Sequence, residues 1–392
     1  MINSNELLNI IACGETSEVQ FKQQLDNVNS FAAEMIAMAN TKGGIIIIGV
    51  SDKVGEIIGL DYQTIQNYSN KIANIANELI NPLIFIHTEV VLLGDGMDSK
   101  KILIVHIEEG INKPYKDKNG TIWTKQGADK RKVTDNAEIM RFFQKSGNLL
   151  ADEMEVFNTS LDDVNESAFR QYFTLEFNQS IEDMGFSFEQ ALKSKRVLRN
   201  NQLTLAGLLF FGKAPQSIKP AFTIKFVSYF GNDSAGNHYR SKPSDLTGTI
   251  PELFQKALEH LKANLLHIQD GQSFNSIGIL EVSEIALIEI LQNALLHRDY
   301  FKNAPIRVLV FDNRIEIISP GTLPNSLTVE DIKYGNPVIR NNQLVSFGSR
   351  LMPFSGLGSG IKRAIKEQAN LELINDITGE QFIVIIPRPT KA

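Results

Sequence analysis

Residues 283–300, SEIALIEILQNALLHRDY, constrain the fold of this chain more than any other stretch. In a helix that turns by about 100° per residue, the polar side chains of this stretch fall on one narrow stripe between apolar neighbours. The stripe consists of Glu289, Asn293, His297 and Tyr300. Because a buried carboxylate without a partner is costly, the stripe has to meet polar groups, either of the protein itself or of a ligand.

A glycine-rich segment, SGLGSGIK at 355–362, follows this helix at a distance. The ExxxN spacing of Glu289 and Asn293, followed by this GxGxG, resembles the nucleotide-binding half of the GHKL ATPases, the Bergerat fold. The resemblance implies a site for ATP and Mg²⁺, in which Glu289 positions or deprotonates a water and Asn293 holds the metal on the phosphates. It further implies that the backbone approaches the phosphates at Gly356, Gly358, Ser359 and Gly360. The alternative is that Glu289 and Asn293 hydrogen-bond within a packed core and that the glycines form a tight turn.

Further segments fit or depart from this resemblance. HRDY at the end of the helix resembles the corresponding segment of divergent GHKL members. His297 in this segment is a candidate to contact a phosphate or the activated water. The alternative is that His297 hydrogen-bonds to the last carbonyls of its own helix. SPGTLP contains Gly321 but lacks the aspartate that reads adenine in ordinary GHKL enzymes. Residues 325–353 have the length of a mobile lid, and a surface loop is the alternative. Candidate contacts to the γ-phosphate or the sugar in this segment are Arg340, Asn341 and Arg350.

The length of 392 residues exceeds what one hydrophobic core usually supports. We expect a first domain over residues 1–146, a helical connector over 147–203 and a second domain over 204–392. The net charge of −6 argues against a uniformly basic surface. The single cysteine, Cys13, excludes a disulfide within the chain, and no stretch reaches the roughly 18 apolar residues of a membrane helix. These features predict a cytoplasmic protein without membrane contact.

Several segments before residue 146 agree in order with one known domain. They are GETSEVQFK at 14–22, AEMIAMANTKGGIIIIGVSDKVGEIIGL at 33–60, KPY at 113–115 and IWTKQG at 122–127. Together they resemble the Schlafen AlbA-like domain. Relatives that pair this domain with a GHKL-like half are described as transcriptional regulators, and the resemblance implies association with nucleic acid.

A metal-dependent nuclease is the first alternative function. In Schlafen-type nucleases, two glutamates and an aspartate build the metal site, and Glu15 and Asp52 match two of these positions. The third position is Gln20, whose neutral amide supplies no charge to Mg²⁺, although Glu18 lies close enough in sequence to substitute. The competing interpretation is that Glu15 lies on the surface and that Asp52 opens a turn.

Binding of nucleic acid without cleavage requires only cations and an aromatic ring. Candidates for these contacts are Trp123, Lys125, Lys130, Arg131 and Lys132. A solvated rim of a loop explains such a charge run equally well.

These observations predict an α/β (α+β) protein with an AlbA-like Schlafen domain followed by a Bergerat, GHKL-like α/β sandwich. The predicted function is an ATP-binding transcriptional regulator, whose first domain engages nucleic acid or a partner in a nucleotide-dependent way. Glu289 would be the base of a weak ATPase activity, and whether hydrolysis follows binding stays open. A non-catalytic scaffold with vestigial sites is the second alternative function. The candidate partners are nucleic acid and further copies of the same chain.

Overall fold

The structure of the protein is a computed structural model that describes residues 2–52, 55–94, 99–234, 238–268, 278–324, 327–336, 338–353 and 358–389. The chain divides into two compact units, Met1–Leu149 and Leu150–Ala392, and each has its own hydrophobic core. Among the helices in the described parts of the chain, none is both long and apolar enough to cross a membrane.

The first unit is built on a four-stranded sheet with helices on both faces. Its helices are α1 (Ser4–Cys13), α2 (Val28–Asn40), α3 (Tyr62–Glu78) and α4 (Asn136–Lys145). Its strands are β1 (Val19–Lys22), β2 (Gly44–Ile48), β3 (Ile80–Asn81), β4 (Ile86–Leu93), β5 (Lys100–Ile107), β6 (Lys116–Asp117), β7 (Trp123–Gln126) and β8 (Asp129–Lys132). The strand order of the main sheet is β1-β2-β5-β4, and only β1 and β2 run parallel.

The central position of β2 explains its uninterrupted apolar sequence. Ile46 and Ile48 pack with α2 and α3, whereas Ile47 packs with α1 on the opposite face. A strand that is covered on both faces loses the alternation of polar and apolar residues. Helix α2 lies in this core along most of its length and carries one charged side chain, Glu34, into it.

The second unit is built on a six-stranded sheet. Its helices are α5 (Glu166–Phe177), α6 (Phe188–Ser194), α7 (Leu205–Phe211), α8 (Pro215–Ile218), α9 (Ile250–Ala263), α10 (Glu284–His297), α11 (Val329–Tyr334), α12 (Asn342–Leu351) and α13 (Gly360–Glu367). Its strands are β9 (Leu198–Arg199), β10 (Gln202–Leu203), β11 (Ile224–Tyr229), β12 (Tyr239–Ser241), β13 (His267–Ile268), β14 (Ile279–Leu280), β15 (Ile306–Val310), β16 (Arg314–Pro320), β17 (Glu372–Asp376) and β18 (Gln381–Pro387). The sheet order is β12-β11-β15-β16-β18-β17, and only β11 and β15 run parallel.

Helix α10 is the central helix of this unit. It packs against β16, α9 and α13, and its apolar residues Leu287 and Leu291 are fully buried in the core. The packing fixes the polar stripe of α10 beside the start of α13.

Residues 150–203 belong to the core of the second unit. Phe169, Tyr172 and Phe173 of α5 are buried in the same cluster as α10 and the sheet. The ring of Tyr172 packs edge-on against Phe347 of α12, with 5.3 Å between the ring centroids. The helices that we predicted as a connector over 147–203 are therefore, from Leu150 onward, structural parts of the second unit.

The second half of the predicted lid is a core helix. Leu344, Val345 and Phe347 of α12 are buried, which anchors this part of residues 325–353 to the body of the unit. The prediction of a lid over the whole segment is corrected accordingly, because an amphipathic helix buries its apolar face wherever a core is available. Helix α11 has no buried residue and lies nearer the surface.

Candidate functional site

The polar stripe of α10 has a fixed geometry. Ser283 begins the helix, since its side chain accepts a hydrogen bond from Ala286 N. The Nδ2 of Asn293 donates to the carbonyl of Glu289, one turn earlier, at 2.7 Å. Because the NH₂ group of Asn293 is used on the helix, its Oδ1 is the atom left to accept a hydrogen bond or to bind a cation.

Glu289 lies against the start of α13. Its side chain is 4% exposed, and its Oε1 lies 2.8 Å from Nε and 2.6 Å from Nη2 of Arg363. Its Oε2 is buried and has no hydrogen-bond partner among the described residues. A Cβ at Gly360 would lie 2.5 Å from this Oε2 and 3.0 Å from Nδ2 of Asn293. Only a glycine at 360 therefore allows α13 to begin this close to the two side chains.

A cavity of about 130 Å³ opens between α10, the sheet and the start of α13. Its lining brings together six residues that the sequence singled out: Asn293, His297, Gly321, Arg340, Gly358 and Gly360. Apolar side chains, including Ile317 and Phe382, form much of the remaining wall. An apolar cavity of about 150 Å³ holds one benzene ring, so this cavity is comparable in volume to a single six-membered ring.

His297 and Arg340 line this cavity too, and His297 lies one helical turn beyond Asn293 on α10. His297 follows Glu289 by roughly two turns, which is about 12 Å along the helix axis. This separation argues against the predicted contact of His297 with a water activated by Glu289. Arg340 Nη2 donates to the carbonyl of Thr322 at 2.5 Å, and a Cβ at Gly321 would lie 2.9 Å from Arg340 Nη1.

His297 and Arg340 differ in charge state. Loss of solvent, with the nearby positive charge of Arg340, lowers the pKa of His297 to about 4. His297 is therefore neutral at neutral pH. Burial also lowers the pKa of Arg340, and the carboxylate of Asp299 opposes this effect. Arg340 stays a cation because the ordinary pKa of arginine is so high.

The other predicted phosphate and sugar contacts have different positions. Ser359 precedes α13 without a capping hydrogen bond from its side chain, and Gly356 lies outside the described residues. Asn341 Nδ2 donates to the carbonyls of Leu296 and Arg298 at the end of α10, at 2.9 Å each. Arg350 pairs with Glu176 at 2.6 Å. Asn341 and Arg350 are therefore structural, which corrects the predicted contact with a ligand.

The carboxylates predicted for a nuclease site do not converge. Glu15 Oε1 accepts a hydrogen bond from the side chain of Gln20, whereas Asp52 pairs with Lys22 at 2.8 Å. Glu18 is exposed. Within the described residues, no group of three acidic, histidine or cysteine side chains is arranged to hold a metal. The alternative nuclease site is therefore not assembled by Glu15, Glu18 and Asp52 in this structure.

Two of the predicted nucleic-acid contacts belong to an ion-pair network around the buried Glu34. Lys125 Nζ donates to Glu34 Oε1 at 2.6 Å and to Gln20 Oε1 at 2.8 Å, and its side chain is 1% exposed. Lys130 pairs with the other oxygen of Glu34 at 2.9 Å. The prediction that Lys125 contacts a phosphate is corrected, because its ammonium is buried against Glu34, whereas the contact of the partly exposed Lys130 stays a prediction.

The remaining cations of this hairpin are nearer the surface. Arg131 forms a two-point ion pair with Glu138, at 3.0 and 2.7 Å, which raises the pKa of its guanidinium. Lys132 is exposed, and its ammonium lies 5.4 Å from the ring centroid of Trp123. Trp123 Nε1 donates to Asp117 at 3.1 Å. Of the five candidates, Lys132 and Trp123 retain the arrangement expected for a surface that contacts nucleic acid.

Comparisons with known families agree with both units. Residues 15–134 match the family described as "Schlafen, AlbA_2", and residues 303–385 match the family described as "Putative ATP-dependent DNA helicase recG C-terminal". The chain combines a Schlafen AlbA_2 domain with a recG C-terminal-like domain. The predicted recognition and the mixed α/β fold class are thereby confirmed. Helix α10 precedes the matched part of the recG C-terminal-like domain, so the role of its polar stripe depends on the geometry described above.

Two similar proteins extend the comparison. Over 171 residues the chain is 26% identical to "Uncharacterized ATP-binding protein UU034" of Ureaplasma parvum, a match that spans 40% of this chain and 46% of that protein. The chain therefore covers less than half of this curated relative. A solved structure, the DIP2311 protein from Corynebacterium diphtheriae, is 20% identical, with 97% of this chain and 79% of that chain covered and a TM-score of 0.45.

The second unit contains groups that fit Mg²⁺ and phosphates, although the sequence did not reveal all of them. The amide oxygen of Asn293 and the unpaired Oε2 of Glu289 are oxygen atoms of the kind that Mg²⁺ binds, and they adjoin the first turn of a helix, which suits anions. Arg363 was missed. Its position three residues after Gly360 places it one turn into α13, and this spacing could have revealed a cation that faces back toward the stripe.

Proposed function

We propose that the second unit binds ATP together with Mg²⁺ in the cavity beside α10. The base occupies the enclosed end, and the phosphates lie at Gly358 and Gly360, where N–H groups at the start of α13 offset their charge. The observation that carries this proposal is the contact of Glu289 and Asn293 with Gly360 at the mouth of a ring-sized cavity. The curated relative whose name describes ATP binding supports the same choice of ligand.

Asn293 contributes the amide oxygen that holds Mg²⁺ in this proposal. Mg²⁺ held there would offset the negative charge of the phosphates. The NH₂ group of Asn293 donates to the carbonyl of Glu289, so the amide oxygen is the atom that remains to hold the metal. Glu289 would orient a water, so a weak ATPase activity remains part of the proposal.

The proposed biological role is that of a regulator whose AlbA_2 domain engages nucleic acid in a nucleotide-dependent way. Support for the partner comes from the AlbA_2 match and from Lys132 above Trp123, since a cation beside an aromatic ring suits phosphate and base contacts. The buried pairing of Lys125 restricts this surface to the outer side of the β7–β8 hairpin. Transcription is the process that this arrangement would regulate.

A thermal-shift experiment tests the nucleotide site. Asn293→Ala should abolish the rise in melting temperature that ATP and Mg²⁺ cause in the wild-type protein. At a ligand concentration of about 100 times Kd, binding adds about 2.7 kcal/mol, or roughly 5 to 10 °C for a unit of this size. Asn264→Ala is the control, because Asn264, the C-terminal cap of α9, also donates through its Nδ2 to the carbonyl one turn earlier, that of His260, at 2.8 Å.

Two results would overturn the proposal. A wild-type protein whose melting temperature responds to no nucleotide would rule out the nucleotide site, and if it also cleaves no RNA, the scaffold is the remaining function. An equal loss of the response in Asn293→Ala and Asn264→Ala would show that helix stability, and not metal or phosphate contact, explains the effect. Incubation of the same protein with RNA and Mn²⁺ tests the nuclease alternative directly.

A further inference from the structure

Strands β1 and β4 form the two edges of the four-stranded sheet in the first unit. The outward backbone groups of β1 are used within the chain. The carbonyl of Val19 accepts from Thr16 N at 2.9 Å, and Phe21 N donates to Glu15 Oε1 at 2.7 Å. These contacts protect the short strand β1 from pairing with another strand. Strand β4 is the longer edge, with eight residues against four in β1.

The backbone groups of β4 point alternately toward β5 and away from the sheet. Their direction follows from Leu92 and Lys101, which lie opposite each other in β4 and β5. The carbonyl of Lys101 accepts from Leu60 N at 2.9 Å. The carbonyl of Leu92 accepts from Ser4 Oγ at 2.8 Å. Because neither carbonyl is used between the two strands, the even-numbered residues of β4 direct their N–H and C=O groups outward.

The outward groups of β4 before Leu92 are open. They belong to Ile86, Thr88 and Val90, and they form no hydrogen bond with any residue that the structure describes. Apolar side chains accompany them, since Val90 is 47% exposed and Leu92 is 51% exposed. An edge strand with open backbone groups and exposed apolar side chains is a template for pairing with a further strand.

The sequence of β4 is complementary to itself about Thr88. If two copies pair antiparallel with Thr88 opposite Thr88, Ile86 of each copy faces Val90 of the other. His87 of each copy then faces Glu89 of the other. Pairs of β-branched side chains, of threonines and of a hydrogen-bond donor with a carboxylate all stabilise neighbouring strands. A two-fold axis repeats each of these pairs, as in other symmetric dimers.

The side chains of the His87–Glu89 pair are available for this contact. His87 is exposed, and an imidazole has an N–H group to donate in either charge state. Both hydrogen bonds that Glu89 accepts from described residues, from Ile2 N and from His106, end at Oε1. Its Oε2 therefore remains to accept a hydrogen bond from a second copy.

The neighbouring registers are less favourable. Pairing centred on Glu89 would place two carboxylates opposite each other, which is destabilising. Pairing centred on Val90 would place Thr88 opposite Leu92. In that register the carbonyl of Leu92 would be needed between the copies, although Ser4 already uses it. The register centred on Thr88 needs only the open groups of residues 86–90.

We propose that β4 is an interface through which two copies of this chain pair antiparallel about Thr88, so that their sheets join into one continuous sheet. The partner is a second copy because the open groups, the apolar side chains and the His87–Glu89 pair match each other in one register. This interface belongs to the first unit and does not depend on the nucleotide site of the second.

Cysteine cross-linking of the full chain tests the register. The exposed Cys13 is first replaced by serine, so that an introduced cysteine is the only one. Thr88→Cys places two sulfurs at the two-fold axis, where Cα atoms about 5.5 Å apart suit a disulfide. Val90→Cys is the matched control on the same edge, because its two copies lie four residues apart, more than about 13 Å. Only Thr88→Cys should form a covalent dimer under mild oxidation.

Sedimentation equilibrium at low to high micromolar concentration tests the strength of pairing. Thr88→Pro removes the N–H groups at the axis but none that bonds β5, so the dimer Kd should rise by about tenfold or more while the sheet stays intact. Thr88→Val keeps the N–H group and should preserve the dimer. His87→Glu should raise the dimer Kd by about two- to thirtyfold, because two pairs per dimer become repulsive, and His87→Lys should lower it.

The fold of each variant is checked by the melting curve of Trp123 fluorescence, which reports on the first unit. A wild-type chain that stays monomeric at every concentration would overturn the proposal. A dimer that Thr88→Pro leaves unchanged would also overturn it, since another surface would then hold the copies together. Cross-linking of Val90→Cys instead of Thr88→Cys would overturn the register and with it the role of the His87–Glu89 pair.

Discussion

Asp152 gives the second unit a pH-dependent stability. The side chain is fully buried, and its Oδ2 accepts hydrogen bonds from Gln343 N at 2.7 Å and Leu344 N at 3.1 Å. It thereby caps the start of α12, which Asn341 leaves without a cap from its own side chain. The other oxygen, Oδ1, has no partner among the described residues. Burial raises the pKa of Asp152 from 3.8 to about 6, although the two backbone donors oppose this rise.

The sign of the effect follows from the direction of this shift. A carboxyl group with a higher pKa in the folded protein than in the unfolded protein favours folding in its protonated form. Its contribution is complete below pH 3.8 and is lost as the pH rises through about 6. One pKa unit is about 1.4 kcal/mol, so ionisation of Asp152 lowers the free energy of unfolding of the second unit by about 3 kcal/mol between about pH 4 and pH 7.

Asp152→Asn removes this ionisation and keeps an oxygen that can accept the two N–H groups of α12. We expect the difference in free energy of unfolding, variant minus wild type, to rise by about 3 kcal/mol from about pH 4 to pH 7. Guanidinium unfolding followed by the near-ultraviolet circular dichroism of tyrosines measures it. Trp123, the only tryptophan in the sequence, lies in the first unit, so its fluorescence serves as an internal control that should not respond. A difference that does not change with pH would refute the reasoning.

Two further predictions concern ion pairs. Lys125→Met leaves the buried Glu34 with Lys130 alone. The free energy of unfolding of the first unit, measured by Trp123 fluorescence, should therefore fall by about 3 kcal/mol. Lys132→Met should change the same free energy of unfolding by less than about 0.5 kcal/mol, because Lys132 is exposed. It should nevertheless weaken oligonucleotide binding in an anisotropy titration. Equal losses of stability in the two variants would contradict the burial of Lys125. Arg363→Gln and Glu289→Gln, alone and combined, should give a coupling free energy of about 1 kcal/mol in a denaturation cycle; strictly additive losses would show that this pair contributes nothing to folding.

Local periodicity allowed the prediction of elements that are defined within one helix or strand. The stripe on α10 follows from the helical repeat alone, and the burial of β2 follows from its unbroken run of isoleucines. The hairpin of β15 and β16 follows from local sequence too, because Asp312 and Asn313 form a tight turn between two apolar runs, and these strands pair antiparallel. In each of these cases the determining residues lie within a few positions of one another.

Partners that are distant in sequence were not predictable in this way. Asp152 caps a helix that begins nearly half the chain later, and no local pattern marks a residue for that task. Lys125 looked like part of a solvated charge run, but Glu34 of α2 withdraws it from solvent. The prediction of a lid failed for the same reason, since the burial of α12 depends on aromatic residues of α5 that its own sequence does not reveal.

The environment of Glu289 separates binding of a nucleotide from its hydrolysis. A carboxylate orients a water only if one of its oxygens has an open side. In this structure Oε1 is held by two nitrogens of Arg363, and Oε2 lies so close to Gly360 that not even a methyl group fits between them. Phosphates placed at the start of α13 would also attract the Arg363 guanidinium, whose side chain is 41% exposed and therefore has space to move. If Arg363 turned to a phosphate, Oε1 would be released, so we expect hydrolysis of a bound nucleotide, but not its binding, to require this exchange of partners.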